Sequence, residues 1–178
     1  FDALVSAGGG ADGFSWSFAR DVSLGTAYQE FEKGTGSKIK ISFDAYGAMP
    51  NGQGIYLLYN NTAASFNSSS PGVLAYSSDN TWLGDTSHIV ITINQLGLLS
   101  MTLNGTAIFS NIALPNSYLT ENKSSWKHMI AGRTGGISMS TSIDNLSIQY
   151  ATYNAGSTTY NTPVTTTSTF YVNEIGTN

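Results

Sequence analysis

Ile89-Val90-Ile91-Thr92-Ile93, Leu98-Leu99-Ser100-Met101-Thr102-Leu103 and Thr106-Ala107-Ile108-Phe109 follow one another with a short break between each pair. Runs of this length, rich in β-branched residues, read as strands. The first break, Asn94 to Gly97, has turn composition. The second, Asn104-Gly105, supplies the two positive φ angles that a type I′ hairpin turn requires. The stretch is therefore a three-stranded meander. The same period-two signal extends outward on both sides. It recurs in Lys38-Ile39-Lys40-Ile41-Ser42-Phe43-Asp44-Ala45, in Phe14-Ser15-Trp16-Ser17-Phe18 and in Leu146-Ser147-Ile148-Gln149-Tyr150. Gly54-Ile55-Tyr56-Leu57-Leu58-Tyr59 is more continuously apolar, as in a strand covered on both faces. Only Thr26 to Lys33 has helical composition, and Gly34 ends it. The expected fold is all-β, a sandwich or jelly roll of antiparallel sheets.

Composition agrees with that fold and excludes several functions. The chain has 178 residues, enough for one well-buried core. Charged residues make up 10% of it, against roughly 25% in ordinary soluble domains. Ser, Thr, Asn and Gly supply the polarity instead, which suits an extracellular surface. A net charge of −4 with seven Lys and Arg in total leaves no basic stripe for nucleic acid. No apolar run is long enough to span a bilayer as a helix. The absence of cysteine rules out disulfides, thiolate metal sites and a Cys nucleophile. Near Ala151 the texture becomes Thr-rich. Residues 1–151 are expected to form the sandwich, and 152–178 a linker or the opening of an Ig-like domain.

Gly10-Ala11-Asp12-Gly13-Phe14-Ser15-Trp16-Ser17-Phe18 resembles the Gly-Ala-Asp-Gly strand of legume-type (L-type) lectins. The order after it is also similar. A Leu24-Gly25 loop is followed by a strand ending Phe43-Asp44-Ala45-Tyr46, then by the meander. Ala131-Gly132-Arg133-Thr134-Gly135-Gly136 then leads into Ile143-Asp144-Asn145-Leu146. The resemblance covers roughly residues 3–150 and implies a concanavalin A-like jelly-roll β-sandwich, in a carbohydrate-binding module of a secreted or cell-surface bacterial protein. Such domains usually carry strands ahead of the Gly-Ala-Asp-Gly strand. Few residues precede it here, so the resemblance implies a fragment of a longer protein.

The resemblance also implies a site. Asp12 would accept hydrogen bonds from two sugar hydroxyls, which suits an acceptor-only carboxylate whose charge-assisted bonds are strong. Gly13 beside it and Gly25 in the next loop would let the sugar approach the backbone. The plain alternative for Asp12-Gly13 is an ordinary turn pair. Trp82 lies between Asp79-Asn80-Thr81 and Gly84-Asp85, which reads as an exposed loop where the ring would stack on a sugar; for it and the other loop aromatics the plain alternative is packing in the core or the loop itself. Tyr46, Phe66 and Tyr76 are further loop aromatics, while Trp16 and Phe18 belong to the core. Arg133, in a Gly-flanked turn, either donates to a ligand or pairs with an acidic neighbour.

A Ca²⁺ ion beside the sugar is the cofactor that the resemblance implies. Asp44 and the Tyr46 carbonyl match the family's ligands in type and spacing, and Asn51, counted also at the sugar, fills the Asn role only if the intervening loop is longer than usual. Gly54-Ile55-Tyr56 stands where a second Asp is expected, so Asp79 or Asp85 would have to complete the cage. Ca²⁺ takes six to eight oxygens.

Glycoside hydrolases share this sandwich. Retaining ones need a carboxyl pair about 5–5.5 Å apart, and the chain has no Glu-x-Asp-x-x-Glu strand to supply it. Glu30-Phe31-Glu32 comes nearest, in a context unlike a strand. Neither His88 nor His128 has a nucleophile-elbow partner. The sequence therefore points to a binding module and not to an enzyme. The partner expected for such a module is a glycan or polysaccharide. The other class is an adhesin or laminin-G-like domain that contacts protein, or neighbouring domains and chains of a surface assembly.

Overall fold

The computed structural model describes residues 1–6, 10–23, 31–47, 49–60, 72–133, 139–150, 164–165 and 172–175. Its strands are β1 (Asp2–Val5), β2 (Gly13–Ala19), β3 (Ile39–Asp44), β4 (Gly54–Leu58), β5 (Val73–Ser77), β6 (Thr86–Ile93) and β7 (Leu98–Leu103). They continue as β8 (Thr106–Ala113), β9 (Lys127–Arg133), β10 (Thr141–Asp144), β11 (Gln149–Tyr150), β12 (Val164–Thr165) and β13 (Val172–Ile175). The described helical structure is a 3₁₀ turn at Phe31–Lys33 and α1 at Asn116–Thr120. The protein is all-β.

Five strands form one sheet in the order β10-β1-β6-β7-β8, and six form the other, β13-β9-β2-β3-β4-β5. Neighbours are antiparallel except β13, which runs parallel to β9. The meander is β6-β7-β8. Leu103 pairs with Thr106 across Asn104 (φ 51°) and Gly105 (φ 81°), the backbone of the expected two-residue turn. Strand β1 lies in the stretch ahead of the Gly-Ala-Asp-Gly residues and fills the space between β10 and β6. Most of 152–178 lies outside the described residues. Its described pieces are β12, paired with β11, and β13.

One core joins the two sheets. Val5, Ile89, Leu99, Met101, Leu103 and Phe109 from the first sheet share a buried cluster with Phe14, Trp16, Phe18, Ile39, Ile41, Phe43 and Ile130 from the second. Phe14 and Phe43 are register partners on β2 and β3, and their rings stack at 4.3 Å. Cross-strand pairs of this kind hold adjacent strands in register.

The opposite face of the second sheet departs from simple alternation. Ser15, Ser17, Lys40, Ser42 and Asp44 occupy the polar positions of β2 and β3, yet all are buried. A strap running from Glu32 to Gly36 covers Ser17, Lys40 and Ser42, and the loop after β3 encloses Asp44. Ser42 Oγ donates to the Glu32 carbonyl at 2.6 Å, and the Thr35 amide donates to Ser17 Oγ at 3.1 Å. Thr35 Oγ1 lies 3.1 Å from Met129 Sδ. Gly34 crosses directly above Lys40, where a Cβ would come within 2.8 Å of the lysine Cδ. Buried hydroxyls need partners; the strap's main chain supplies them to Ser17 and Ser42, and Ser15 Oγ donates to the Ala131 carbonyl on β9 at 3.4 Å.

Candidate functional site

Antiparallel pairing brings one end of β2, β3, β4, β5 and β9 to a common rim. Gly13, which opens β2, pairs with Asp44, which closes β3, and with Arg133, which closes β9. Asp44 pairs in turn with Gly54 at the start of β4. Residues 12 and 44 therefore meet at one end of the sheet. The Ala11–Asp12 peptide bond is cis. The Asp12 amide donates to the Arg133 carbonyl (3.2 Å), and the Asp12 carbonyl accepts from the Ala45 and Tyr46 amides at 2.9 and 3.3 Å.

The Asp12 carboxylate is largely shielded. Its Oδ2 lies 2.9 Å from Arg133 Nε, and the same nitrogen lies 3.3 Å from Glu32 Oε2. Of the two roles open to Arg133, pairing with an acidic neighbour is the one observed. Glu32 was not visible as a rim residue in the sequence. It is far from Asp12 along the chain, and only the strap's crossing of the sheet brings it there.

Asp44 turns both carboxylate oxygens onto backbone donors. Its Oδ1 accepts the amides of Tyr46 (3.0 Å) and Gly47 (2.8 Å), and its Oδ2 accepts that of Met49 (2.8 Å). The carboxylate thus folds the loop after β3 around itself. The loop is held at its far side as well. Tyr56 Oη accepts the Asn51 amide (3.0 Å) and donates to the Gly52 carbonyl (2.7 Å), while Tyr76 Oη donates to the Gln53 carbonyl at 2.8 Å. Burial pushes the Tyr56 phenol above the ordinary tyrosine range, so it keeps the proton it donates. Asn51 stays exposed at the loop's tip, and Tyr46 projects with 60% of its surface in solvent.

The residues expected to hold Ca²⁺ do not fit that ion as they stand. Asp44 uses its oxygens on backbone donors. Asp79 turns inward on its own loop, accepting from the Thr81 amide at 2.8 Å and hydroxyl at 2.6 Å, and Asp85 Oδ1 accepts the Thr86 amide at 2.7 Å. Among the described residues no three Asp, Glu or His side chains gather as a metal site would need.

Two expected sugar contacts also change. Trp82 is not an exposed ring. It is fully buried, with edge contacts to Phe14 and Phe43 at 5.9 and 5.5 Å, and its Nε1 donates to the Asp79 carbonyl at 3.1 Å. The flanking Asn80, Thr81, Gly84 and Asp85 are exposed, as their polarity implies, but the indole plugs the core. Gly13 is buried too. At φ 140°, a Cβ there would collide with the Phe43 carbonyl oxygen, so the glycine serves the close approach of β2 to β3. Gly25 and Phe66 lie outside the described residues. Tyr76 is half-buried and belongs to the scaffold of the loop.

No protein-family model matches the chain, and no curated protein or solved structure does so either.

Proposed function

We propose that this domain is an extracellular carbohydrate-binding module of concanavalin A-like, jelly-roll type, with its ligand at the rim formed by Asp12 and the loop after Asp44. The supporting observation is the register of Gly13 with Asp44, which sets an acceptor carboxylate beside a loop that carries an exposed ring and an exposed amide. In this reading Asp12 Oδ1 accepts a sugar hydroxyl, the Asn51 side chain adds a polar contact, and the Tyr46 ring covers the apolar face of a pyranose. Asp44 acts indirectly, by shaping the loop through its three amide contacts. Binding then needs no Ca²⁺.

A glycan array probed with wild type, Asp12→Ala and Tyr46→Ala tests the proposal, with and without EDTA. Wild type should bind a defined set of glycans, with or without chelator. Asp12→Ala should abolish binding, and Tyr46→Ala should weaken it about tenfold, the worth of roughly one aromatic contact. A wild-type protein that binds no glycan, or variants that bind as well as it does, would leave a domain that contacts protein.

A further inference from the structure

Arg133 joins two carboxylates that come from distant parts of the chain. Its Nε lies 2.9 Å from Asp12 Oδ2 and 3.3 Å from Glu32 Oε2, and the three side chains are 15%, 10% and 2% exposed. Both acids are also tied by their main chains. The Asp12 amide donates to the Arg133 carbonyl, and the Glu32 carbonyl accepts from Ser42 Oγ. The cluster therefore sits on a frame made by β2, β3, β9 and the strap.

Stability is a poor explanation for such a cluster. Removing charges from water costs about what their attraction returns, and well-packed apolar residues of equal volume often hold a core as well or better. Charge adds direction instead. A guanidinium N–H lies in one rigid plane, so the single Nε–H···Oδ2 bond gives the Asp12 carboxylate a preferred direction. An unheld Asp12 would lose affinity through the rotamers it must give up when a ligand binds.

We infer that Arg133 is a positioning residue: it fixes the Asp12 carboxylate with Oδ1 toward the rim, and Glu32 anchors the guanidinium from the strap side. The inference rests on the carbohydrate reading of the rim, which gives the fixed oxygen its use.

Two measurements on Arg133→Gln test it. Three-bond NMR couplings report the χ1 rotamer of Asp12 without any ligand. They should show one rotamer in the wild type and averaging in Arg133→Gln. Affinity for the glycan chosen from the array should fall about tenfold, in the range typical of coupled neighbours. Arg133→Lys, which keeps the charge without the planar guanidinium, should recover only part of that loss. Adding Arg133→Gln to Asp12→Asn should cost no more than Asp12→Asn alone. Unaveraged couplings in Arg133→Gln, or losses that simply add, would overturn the inference. If Arg133→Gln does not fold, Glu32→Gln takes its place, with partial averaging expected and unchanged couplings counting against the inference. A wild-type protein that binds no glycan defeats the carbohydrate reading, while the couplings still decide the role of Arg133.

Discussion

Replacing Trp82 by alanine separates a core plug from a surface sugar platform. The indole has no exposed surface, touches Phe14 and Phe43 edge-on, and uses its N–H on the Asp79 carbonyl. Truncating a buried aromatic costs about 3–5 kcal/mol through lost transfer energy and the cavity left behind. The lost edge contacts, each worth about 0.5–1.5 kcal/mol, place this site in the upper part of that range. With a urea m-value of about 2 kcal/mol/M for a domain of this size, a loss of about 4 kcal/mol moves the unfolding midpoint down by about 2 M. Trp82→Phe keeps a ring against both partners but loses the hydrogen bond and some volume, and should cost about 1–2 kcal/mol. Far-UV circular dichroism across a urea series is the assay, because Trp16 and Trp126 complicate fluorescence. A Trp82→Ala midpoint within about 0.3 M of wild type, beyond what extrapolation error hides, would refute the burial reasoning. If that unchanged protein also lost glycan affinity, the indole would belong at the sugar after all.

Two further predictions concern buried ionisable groups. Burial pushes the His128 imidazole, stacked on Phe18 at 4.3 Å, down to about 4. The unfolded chain then takes up this proton near pH 6.5 and the folded one only near 4, so stability falls as pH drops through that window, by about 3 kcal/mol for this group. His128→Phe should flatten the difference in urea midpoint between pH 7 and pH 4.5; an equal drop in both proteins would sink the assignment. Burial likewise pushes Lys40 down to about 8, with Asp21 pulling weakly the other way. Below pH 8 both states carry the charge and the folded state bears the desolvation cost, so stability rises between about pH 8 and 10.5. Lys40→Met should abolish that rise and unfold at higher urea at pH 7; a lower midpoint would show that the ammonium is a net asset where it lies.

The strands were legible because alternation is a local property. Phe14, Trp16 and Phe18, or Ile39, Ile41 and Phe43, mark an inner face wherever the chain is later placed. The Asn104-Gly105 turn was legible for a similar reason, since few other pairs tolerate both backbone angles. What alternation could not show was the fate of the polar face. Lys40 and Ser42 occupy the polar positions of an alternating strand, yet a segment from elsewhere covers them. The direction of Trp82 was hidden because exposed neighbours say nothing about where one side chain points. Residues 12 and 44 could be matched only through a resemblance, and their meeting depends on pairing between strands well apart in sequence. The role of Asp44 stayed obscure because a carboxylate that accepts amides and one that binds a cation look alike in a sequence.

The strap from Glu32 to Gly36 has an unusual kind of grip. It holds β2 and β3 through an amide, a carbonyl and one shared guanidinium, beside a small apolar patch of Ala19, Val22, Met129 and Ala131. Peeling it back would wet serines, an ammonium and a carboxylate, all of which water solvates readily, and would relieve Lys40 of its confinement. The energy opposing such a breach lies in a handful of directional bonds and one small apolar patch. This layer can therefore loosen while the aromatic interior beneath the other face stays shut.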